Sequence, residues 1–598
     1  MKEILSVFTK RGVLLTPEAA EMIMASEDPL SSSRAVVDYM EKNGVREFFI
    51  KPDVVEKALA EHGLLVPLSE PEPEDKSAST QPEEGRGMQP GGTPYCDEAG
   101  EGLSEITETT VGGGGRDEKT VFVGEKGVGA DDVDTADTQV DTNSTEPDRG
   151  VGGNTGSGRP PVIDPLDGFD IPPDLSDGFE ARRLTPEIEV LMDVTDRIES
   201  SGSVEYFRKY FSDRYKKLRA LVRKHQGYSG NTSVVDVERM QPGDEIRVVA
   251  IIKDIKVTDR GTRIVELEDE FGTAKAIIPS NSPLTSLPLV NDEVIGVSIT
   301  RSPGRGSLII KEVVFPDIPA RKQEADDRKP DRRVYVAFVS DVHVGSDTFL
   351  PGAWARFVGF LRGVGVKNGK KEIAENLKYL VVSGDLVDGI GVYPNQEKEL
   401  VIHDIESQYR ALAKIFRRVP DHVEVLMLPG NHDMVRQAEP QPAFSDPIKE
   451  IFVEEGLNIH FLSNPTLVSI EGVKILAYHG RSMDDFLGLV PGLSYENPIE
   501  AMKIMLQKRH LAPVYGGKTP IAPEPVDHLV IETIPDIFVT GHVHSVGVDR
   551  YRGVLLVNSS TWQSQTSFQK MHNFNPIPAR VPVVNLQTLE HEILDFSR

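Results

Sequence analysis

VEVLMLPGNHD, residues 423–433, is an apolar run that stops at Pro-Gly and then places an amide, an imidazole and a carboxylate in succession. Its Val- and Leu-rich start reads as a short buried strand, and the three polar side chains fall where that strand hands over to a loop. The same punctuation recurs on both sides of it. VYVAFVSDVH (334–343) ends at Asp341 and His343, and KYLVVSGDLVDG (378–389) ends at Asp385 and Asp388. VKILAYHG (473–480) ends at His479, and DIFVTGHVH (536–544) ends at His542 and His544. Helical stretches such as IESQYRALAKIFRRV (405–419) separate most of these runs. Strands alternating with helices imply an α/β layered fold, in which functional residues gather at the carboxyl ends of the strands. All five clusters sit there, so one site can collect them.

The residue types specify a chemistry. Imidazole and carboxylate ligands without thiolate suit a divalent transition metal such as Mn, Fe, Ni or Zn. Seven candidate ligands are too many for one ion and suit two. Two ions about 3.5–4 Å apart bridge a phosphate, lower the pKa of a bound water and offset charge on the phosphoryl oxygens during in-line displacement. Taken singly, Asp-x-His, His-x-His and Gly-Asp are ordinary turn residues. Five pieces in order, about 45–65 residues apart and each ending an apolar run, are far more specific.

The rest of the chain divides by composition. At 598 residues it exceeds one core, and three or four domains are expected. Its single cysteine, Cys96, rules out an intrachain disulfide and a thiolate zinc site, and fits a cytoplasmic protein. The opening MKEILSVFTKRGVLL reads as an amphipathic helix, not a signal peptide, and no apolar run approaches the ~20 residues of a membrane span. Residues 1–67 suggest a small helical docking module, with helices over TPEAAEMIMAS (16–26), SSSRAVVDYMEKNG (31–44) and KPDVVEKALAEHG (51–63). Residues 68–182 are polar, acidic and rich in Gly, Pro, Ser and Thr, and read as a disordered linker. Its GGGG is no phosphate loop, since Gly-Lys-Ser/Thr does not follow.

The linker also explains most of the net charge of −28. Residues 69–180 hold 27 acidic and 7 basic side chains, so the remaining chain carries only −8 and can still present basic surfaces to nucleic acid. Residues 183–230 read as a helical connector. TPEIEVLMDVTDRIES (185–200) has Thr185 and Pro186 as a helix start, and the basic, aromatic VEYFRKYFSDRYKKLRALVRKH (204–225) reads as an amphipathic helix packing a Tyr/Phe/Leu stripe with its cations solvated, a nucleic-acid surface being the alternative. Residues 231–320 alternate β-branched and polar positions over some five short strands, which suits an OB-like barrel. Such barrels bind single-stranded nucleic acid or serve as plain interaction domains, and stacking aromatics are sparse in this one. Residues 333–598 then form the domain that holds the clusters.

The ordered set DVH, GDLVD, GNHD, HG and GHVH resembles the calcineurin-like metallophosphoesterase superfamily. The resemblance implies a two-layer-sheet α/β fold and a division of labour. Asp341, His343 and His544 would hold one metal, Asn431, His479 and His542 the other, and Asp385 would bridge them. His432 would protonate the leaving oxygen, with Asp388 accepting a hydrogen bond from it. Asp433 would only cap its turn. The two histidines of GHVH would both face the cleft as alternate residues of an extended segment. Protein Ser/Thr phosphatases of this superfamily carry Arg and Glu where Gly389 and Asp433 stand, which counts against that activity.

The domain order, together with NSSTWQSQTSFQKMHNFNPIPARVPVVNL (558–586), is similar to the small-subunit family of archaeal family D DNA polymerases. That likeness covers residues 185–598 well and 1–67 loosely. It implies a 3′→5′ exonuclease that proofreads for a separate large polymerase subunit, acts on single-stranded or frayed 3′ DNA ends, and uses two divalent ions, Mn foremost, with Mg, Fe, Ni or Zn as alternatives. Related subunits of eukaryotic polymerases have typically lost metal ligands, whereas every position is kept here. An assembly scaffold and a small-molecule phosphodiesterase are the other readings.

Overall fold

The computed structural model describes residues 163–200, 202–230, 232–304, 306–319 and 330–598, with 14–15, 23, 26, 29–43, 49–50 and 52–62 near the start. The chain separates into two compact units, Met1–Glu146 and Pro147–Arg598. In the first, helices Pro29–Asn43 and Pro52–Glu61 pack together through Val36, Val55 and Ala58. The helix expected over 16–26 lies, apart from Ile23 and Ser26, outside the described residues, as does the linker up to residue 162. Among the described residues, no helix is long and apolar enough to cross a membrane.

The second unit is a mixed α/β assembly of two six-stranded sheets and a closed barrel. The strands are β1 (Ile188–Met192), β2 (Glu245–Val257), β3 (Arg263–Asp269), β4 (Gly272–Ile278), β5 (Val294–Arg301) and β6 (Leu308–Val314). There follow β7 (Tyr335–Val339), β8 (Leu377–Ser383), β9 (Glu424–Leu428), β10 (Ile459–Phe461), β11 (Thr466–Ile470) and β12 (Val473–Ala477). The last are β13 (Ile537–Thr540), β14 (Gly547–Tyr551), β15 (Val554–Asn558), β16 (Arg580–Asn585) and β17 (His591–Asp595).

One sheet runs β10-β9-β8-β7-β16-β17, with β7 to β10 parallel and the last two strands antiparallel. The other runs β14-β15-β13-β12-β11-β1, with β12, β13 and β15 parallel. The period-two side-chain alternation of a strand explains how they stack. In β7, Val336 and Phe338 meet Ile475, Val539 and Val557 of the second sheet in one buried layer. Ala337 and Val339 point the other way, onto helices Pro351–Leu361 and Ile405–Phe416 through Trp354, Phe357 and Leu412. The outer face of the second sheet packs Leu476, Phe538 and Leu556 on helix Pro498–Lys508. The strands are therefore covered on both faces, which is why they read as unbroken apolar runs.

The barrel closes in the order β2-β3-β4-β6-β5 around Val248, Ala250, Ile252, Val265, Leu267 and Ile299. The intervening Val249 faces outward, against Tyr215, Leu218 and Val222 of helix Val204–Val222. That helix starts at Ser203, whose hydroxyl accepts the Tyr206 N–H. Its cations are not all solvated, as expected from the sequence. Arg214 is fully buried and donates to Asp527 (2.7 Å), the Asp292 and Pro513 carbonyls and the Tyr210 hydroxyl. A second buried pair, Lys508 with Glu293 at 2.6 Å, ties the long helix of the sheet domain to the barrel.

Two other expectations change. Residues 188–192 are a strand, not part of a helix: β1 adds antiparallel to β11 at the sheet edge, where Ile188 pairs with Ile470. Ladder bonds to an open edge outweigh the local Thr-Pro helix start. The disordered segment also cannot extend to 182. From 163 the chain is packed, with Leu166 and Phe179 in the core beside the first sheet and the Pro172 carbonyl accepting from Arg362 at 2.8 Å. A few widely spaced anchors suffice there, and mean composition conceals them.

Candidate metal centre

The carboxyl ends of β7, β8, β9, β12 and β13 converge, and with them the loops that carry Asp341, His343, Asp385, Asn431, His479, His542 and His544. Five of these residues turn their backbone into the left-handed region: Asp341 (φ 53°), His343 (φ 53°), Asp385 (φ 51°), His542 (φ 70°) and His544 (φ 48°). Such conformations cost about 1–3 kcal/mol each for residues with a Cβ and persist only where surrounding bonds over-determine them. Those bonds are present. Asp341 N–H donates to Gly384 O (2.9 Å), His542 N–H to Asp341 Oδ2 (2.9 Å) and His432 N–H to Asp385 Oδ1 (2.8 Å). His542 and His544 thus reach the site by two tight left-handed turns beyond the end of β13, not as alternate residues of an extended segment.

Two glycines are required by space. A Cβ on Gly430 would stand 2.2 Å from Asp385 Oδ1, and one on Gly541 would stand 1.7 Å from Ser340 Oγ and 2.6 Å from Asp341 Oδ2. The Gly in GNHD and the Gly in GHVH let neighbouring loops close on the carboxylates.

The ligand atoms fall into groups. Asp341, His343 and His544 form one, and Asp385, His479 and His542 another. Asn431 Oδ1 joins the second, 3.1 Å from His479 Nε2. Whether these residues fit cations is decided by their hydrogen bonding. His479 Nδ1 donates to Ser383 O at 2.9 Å, so in the neutral ring it is Nε2 that carries the lone pair. That lone pair faces Asp385 Oδ2 at 3.2 Å and Asn431 Oδ1 at 3.1 Å, so three acceptors point at one another. In the first group His343 Nδ1 donates to Asp388 Oδ1 at 3.0 Å, and its Nε2 lies 3.1 Å from His544 Nε2. Asp341 Oδ1, 3.3 Å from the same His544 nitrogen, is buried and has no hydrogen-bond partner among the described residues. Converging acceptors of this kind repel unless positive charge sits among them.

Protonation behaviour points the same way. Burial, the largest influence on His479, disfavours its imidazolium, yet the Asp385 and Asp341 carboxylates override it and lift the pKa to about 9. Burial likewise opposes charge on His343, and the Asp341, Asp388 and Asp385 carboxylates around it raise its pKa to about 10. Asp385 is held well below the usual carboxylate range: the imidazoles around it outweigh its burial. Two bound divalent cations would occupy this charge demand in place of protons.

His432 stands beside these groups, its ring edge-on to His343 at 4.7 Å between centroids. Its Nδ1 lies 2.7 Å from the main-chain carbonyl of Asp388, and not from the carboxylate as the sequence suggested. The Asp388 carboxylate orients His343 instead, and also accepts from Gln396 Nε2 (2.8 Å) and Gln563 Nε2 (3.0 Å). The reason is geometric: the Asp388 side chain turns toward His343, in the loop after β7, and toward Gln396 and Gln563. Burial, its largest influence, pushes the His432 pKa down, with Asp385 and Asp388 pulling up. Asp433 caps its turn and more: it accepts from Gly430 N (2.9 Å), Leu386 N (3.2 Å) and the Tyr409 hydroxyl (3.1 Å), and so locks two ligand loops together.

Several supporting residues escape sequence reading. Asp484 Oδ2 lies 3.2 Å from His542 Nε2, and the Gln569 amide lies 2.8 Å from His544 Nδ1. Thr566 and Gln569 form a capping box at the start of helix Ser567–Met571, a pattern visible as T-x-x-Q. That pattern announces the helix but not the reach of Gln569 to a ligand 25 residues away.

Residues 336–546 match the B-subunit family of DNA polymerases alpha and epsilon. The DNA polymerase II small subunit of Archaeoglobus fulgidus is 43% identical over 398 residues, 66% of this chain and 78% of that protein. The subunit of the same name from Methanothermobacter thermautotrophicus is 41% identical over 414 residues, 69% of this chain and 83% of that one. That of Halobacterium salinarum is 38% identical over 432 residues, 72% and 82% of the two chains. Among solved structures, a novel archaeal phosphodiesterase covers 44% of this chain at 12% identity with a TM-score of 0.21, a likeness too slight to carry an argument. At 38–43% identity over more than three quarters of these relatives' lengths, this chain belongs to the DNA polymerase II small subunit family.

Proposed function

We propose that this chain is the 3′→5′ exonuclease subunit of a two-subunit archaeal DNA polymerase, and that it removes nucleotides from single-stranded or frayed 3′ ends. The observation that carries the reading is the convergence of acceptor atoms from five strand-end loops, with Asp341 Oδ1 buried and unpartnered among the described residues, beside His432. Asp341, His343 and His544 would hold one divalent cation and Asn431, His479 and His542 the other, with Asp385 between them. Bound there, the pair would supply a nucleophilic hydroxide and charge neutralisation at phosphorus. The chain's own residues do the rest. The carboxylates and imidazoles fix where the phosphate can sit. His432, its Nδ1–H anchored on the Asp388 carbonyl, presents Nε2 to the leaving 3′-oxygen and donates the proton that becomes the new 3′-hydroxyl. Asp388, Gln569 and Asp484 hold ligand rings in place.

The OB-like barrel (231–320), the connector (183–230) and the domain 333–598 would together be the docking platform for the large polymerase subunit, with 1–67 a further docking module. The buried Arg214–Asp527 and Lys508–Glu293 pairs support this, because they join the connector and the barrel, respectively, to the sheet domain through desolvated contacts. Purified chain with Mn2+ and a 5′-labelled single strand is the test. Stepwise shortening from the 3′ end, lost in His432→Ala, is expected. No shortening, or shortening that survives His432→Ala, overturns the exonuclease reading; co-purification with the large subunit alone would then leave an assembly role.

A further inference from the structure

Aromatic rings crowd the rim of the metal centre, and apart from the Tyr495 hydroxyl neither metal binding nor proton transfer accounts for them. On one side Tyr393 lies 6.3 Å from the His432 ring and 5.6 Å from Phe568, and Phe568 in turn lies 4.3 Å from His572. On the other, Phe574 lies 6.4 Å from His544 and 5.3 Å from Tyr495, whose hydroxyl holds Asp484 at 2.7 Å. Phe568 is 42% exposed and Tyr495 36% exposed, a cost in solvated apolar surface that packing does not explain. Both phenylalanines belong to the segment that grips the site. Gln563 donates to Asp388, Gln569 contacts His544, and Ile577 N–H donates to the His544 carbonyl at 2.8 Å. A rigid link thus runs from the ligands to the rings.

We propose that Phe568 and Phe574 are base seats that select unpaired 3′ ends, Phe568 with Tyr393 stacking the penultimate base and Phe574 with Tyr495 the terminal one. This rests on the exonuclease reading and names the part of the strand the site holds. The assignment follows from bond cleavage. The P–O3′ bond breaks, the terminal nucleotide keeps the phosphate as a 5′-monophosphate, and the penultimate nucleotide leaves with the 3′-oxygen that His432 protonates. The penultimate base therefore lies beside His432, where Phe568 and Tyr393 stand. Every base offers a π-face, so stacking is sequence-tolerant. A base still paired in a duplex cannot lie flat against these rings, which makes unpairing the condition for cleavage.

The test uses the full chain with Mn2+ and an oligothymidylate carrying 2-aminopurine at the terminal or the penultimate position, whose fluorescence falls on stacking. Binding is read in the His432→Ala background so that the strand survives; resection rates are read with His432 intact, on base-bearing and abasic 3′ ends. Phe568→Ala should abolish quenching at the penultimate position and Phe574→Leu at the terminal one. Each should weaken strand binding roughly 5- to 150-fold, the range of one lost base–aromatic stack. Phe574→Leu should also erase the preference for a base-bearing over an abasic terminal nucleotide, and Phe568→Ala that for a base-bearing over an abasic penultimate one, while Phe568→Trp keeps the latter. If resection occurs but quenching and preference ignore both substitutions, the seats are refuted and the exonuclease stands. If resection is absent but quenching still depends on these rings, the exonuclease reading fails and the seats survive. If neither occurs, both fail.

Discussion

Replacing Asp388 by asparagine separates two tasks that this residue combines. Its main-chain carbonyl accepts from His432 at 2.7 Å, and its carboxylate accepts from His343 at 3.0 Å. Asparagine keeps the carbonyl and the volume, and removes the charge that holds His343 in its ligand orientation. It also sets an amide N–H against the donors of Gln396 and Gln563. Losing such a partner of a metal-bound histidine typically costs 10–100-fold in metal affinity or activity, about 1.4–2.7 kcal/mol. The upper half of that range is expected, since the carboxylate is buried and three donors converge on it. The assay compares a DNA strand with the 4-nitrophenyl ester of thymidine 5′-phosphate, whose leaving group needs no proton, over a Mn2+ titration. Asp388→Asn should raise the Mn2+ requirement and slow both substrates alike. His432→Ala should slow the DNA strand and spare the nitrophenyl ester. If Asp388→Asn spares the ester as well, its carboxylate serves His432 after all and the division drawn from the geometry is wrong.

Gly541→Ala should abolish cleavage, by at least about a hundredfold, because the new methyl would collide with Ser340 Oγ and Asp341 Oδ2; an unaffected rate would show that this loop does not set the carboxylate. Arg214→Ala takes the guanidinium from buried Asp527, leaving it the His510 ring at 2.9 Å, and should cost about 3–5 kcal/mol, seen as a lower melting temperature, with Arg214→Met milder. The same network predicts a pH dependence. Burial, then the Arg214 charge, push the His510 pKa from 6.5 to about 4, with Asp527 opposing them. The folded value is the lower one, so stability is full above about pH 6.5, declines as pH falls, and by pH 4 has lost roughly 3 kcal/mol. Melting temperatures between pH 7.5 and 4.5 should therefore fall less steeply in His510→Gln than in the unaltered chain.

The clusters were legible because parallel strands buried on both faces leave continuous apolar runs, and their ends mark the loops that meet. The barrel was legible from period-two alternation such as that of Val248, Ala250 and Ile252. What escaped depends on partners far away in sequence. Ile188–Met192 carries a local helix start, and only pairing with β11, nearly 280 residues on, makes it a strand. Arg214 looked like a solvated cation until Asp527, 313 residues later, accounted for its burial. Asp388 and His432 were paired through the wrong oxygen, since sequence spacing does not distinguish a carboxylate from its own carbonyl. Gln563, Gln569 and Asp484 carry no sequence signal for their contacts with Asp388, His544 and His542. The left-handed turns at His542 and His544 were equally hidden, because β13 already stops at Thr540.

The central claim is that these five loops hold two cations. Anomalous diffraction from crystals grown with Mn2+ addresses it directly. Two peaks about 3.5–4 Å apart are expected, one among Asp341, His343 and His544 and one among Asn431, His479 and His542, with Asp385 touching both. A single peak, or none at these residues under saturating Mn2+, would contradict the account.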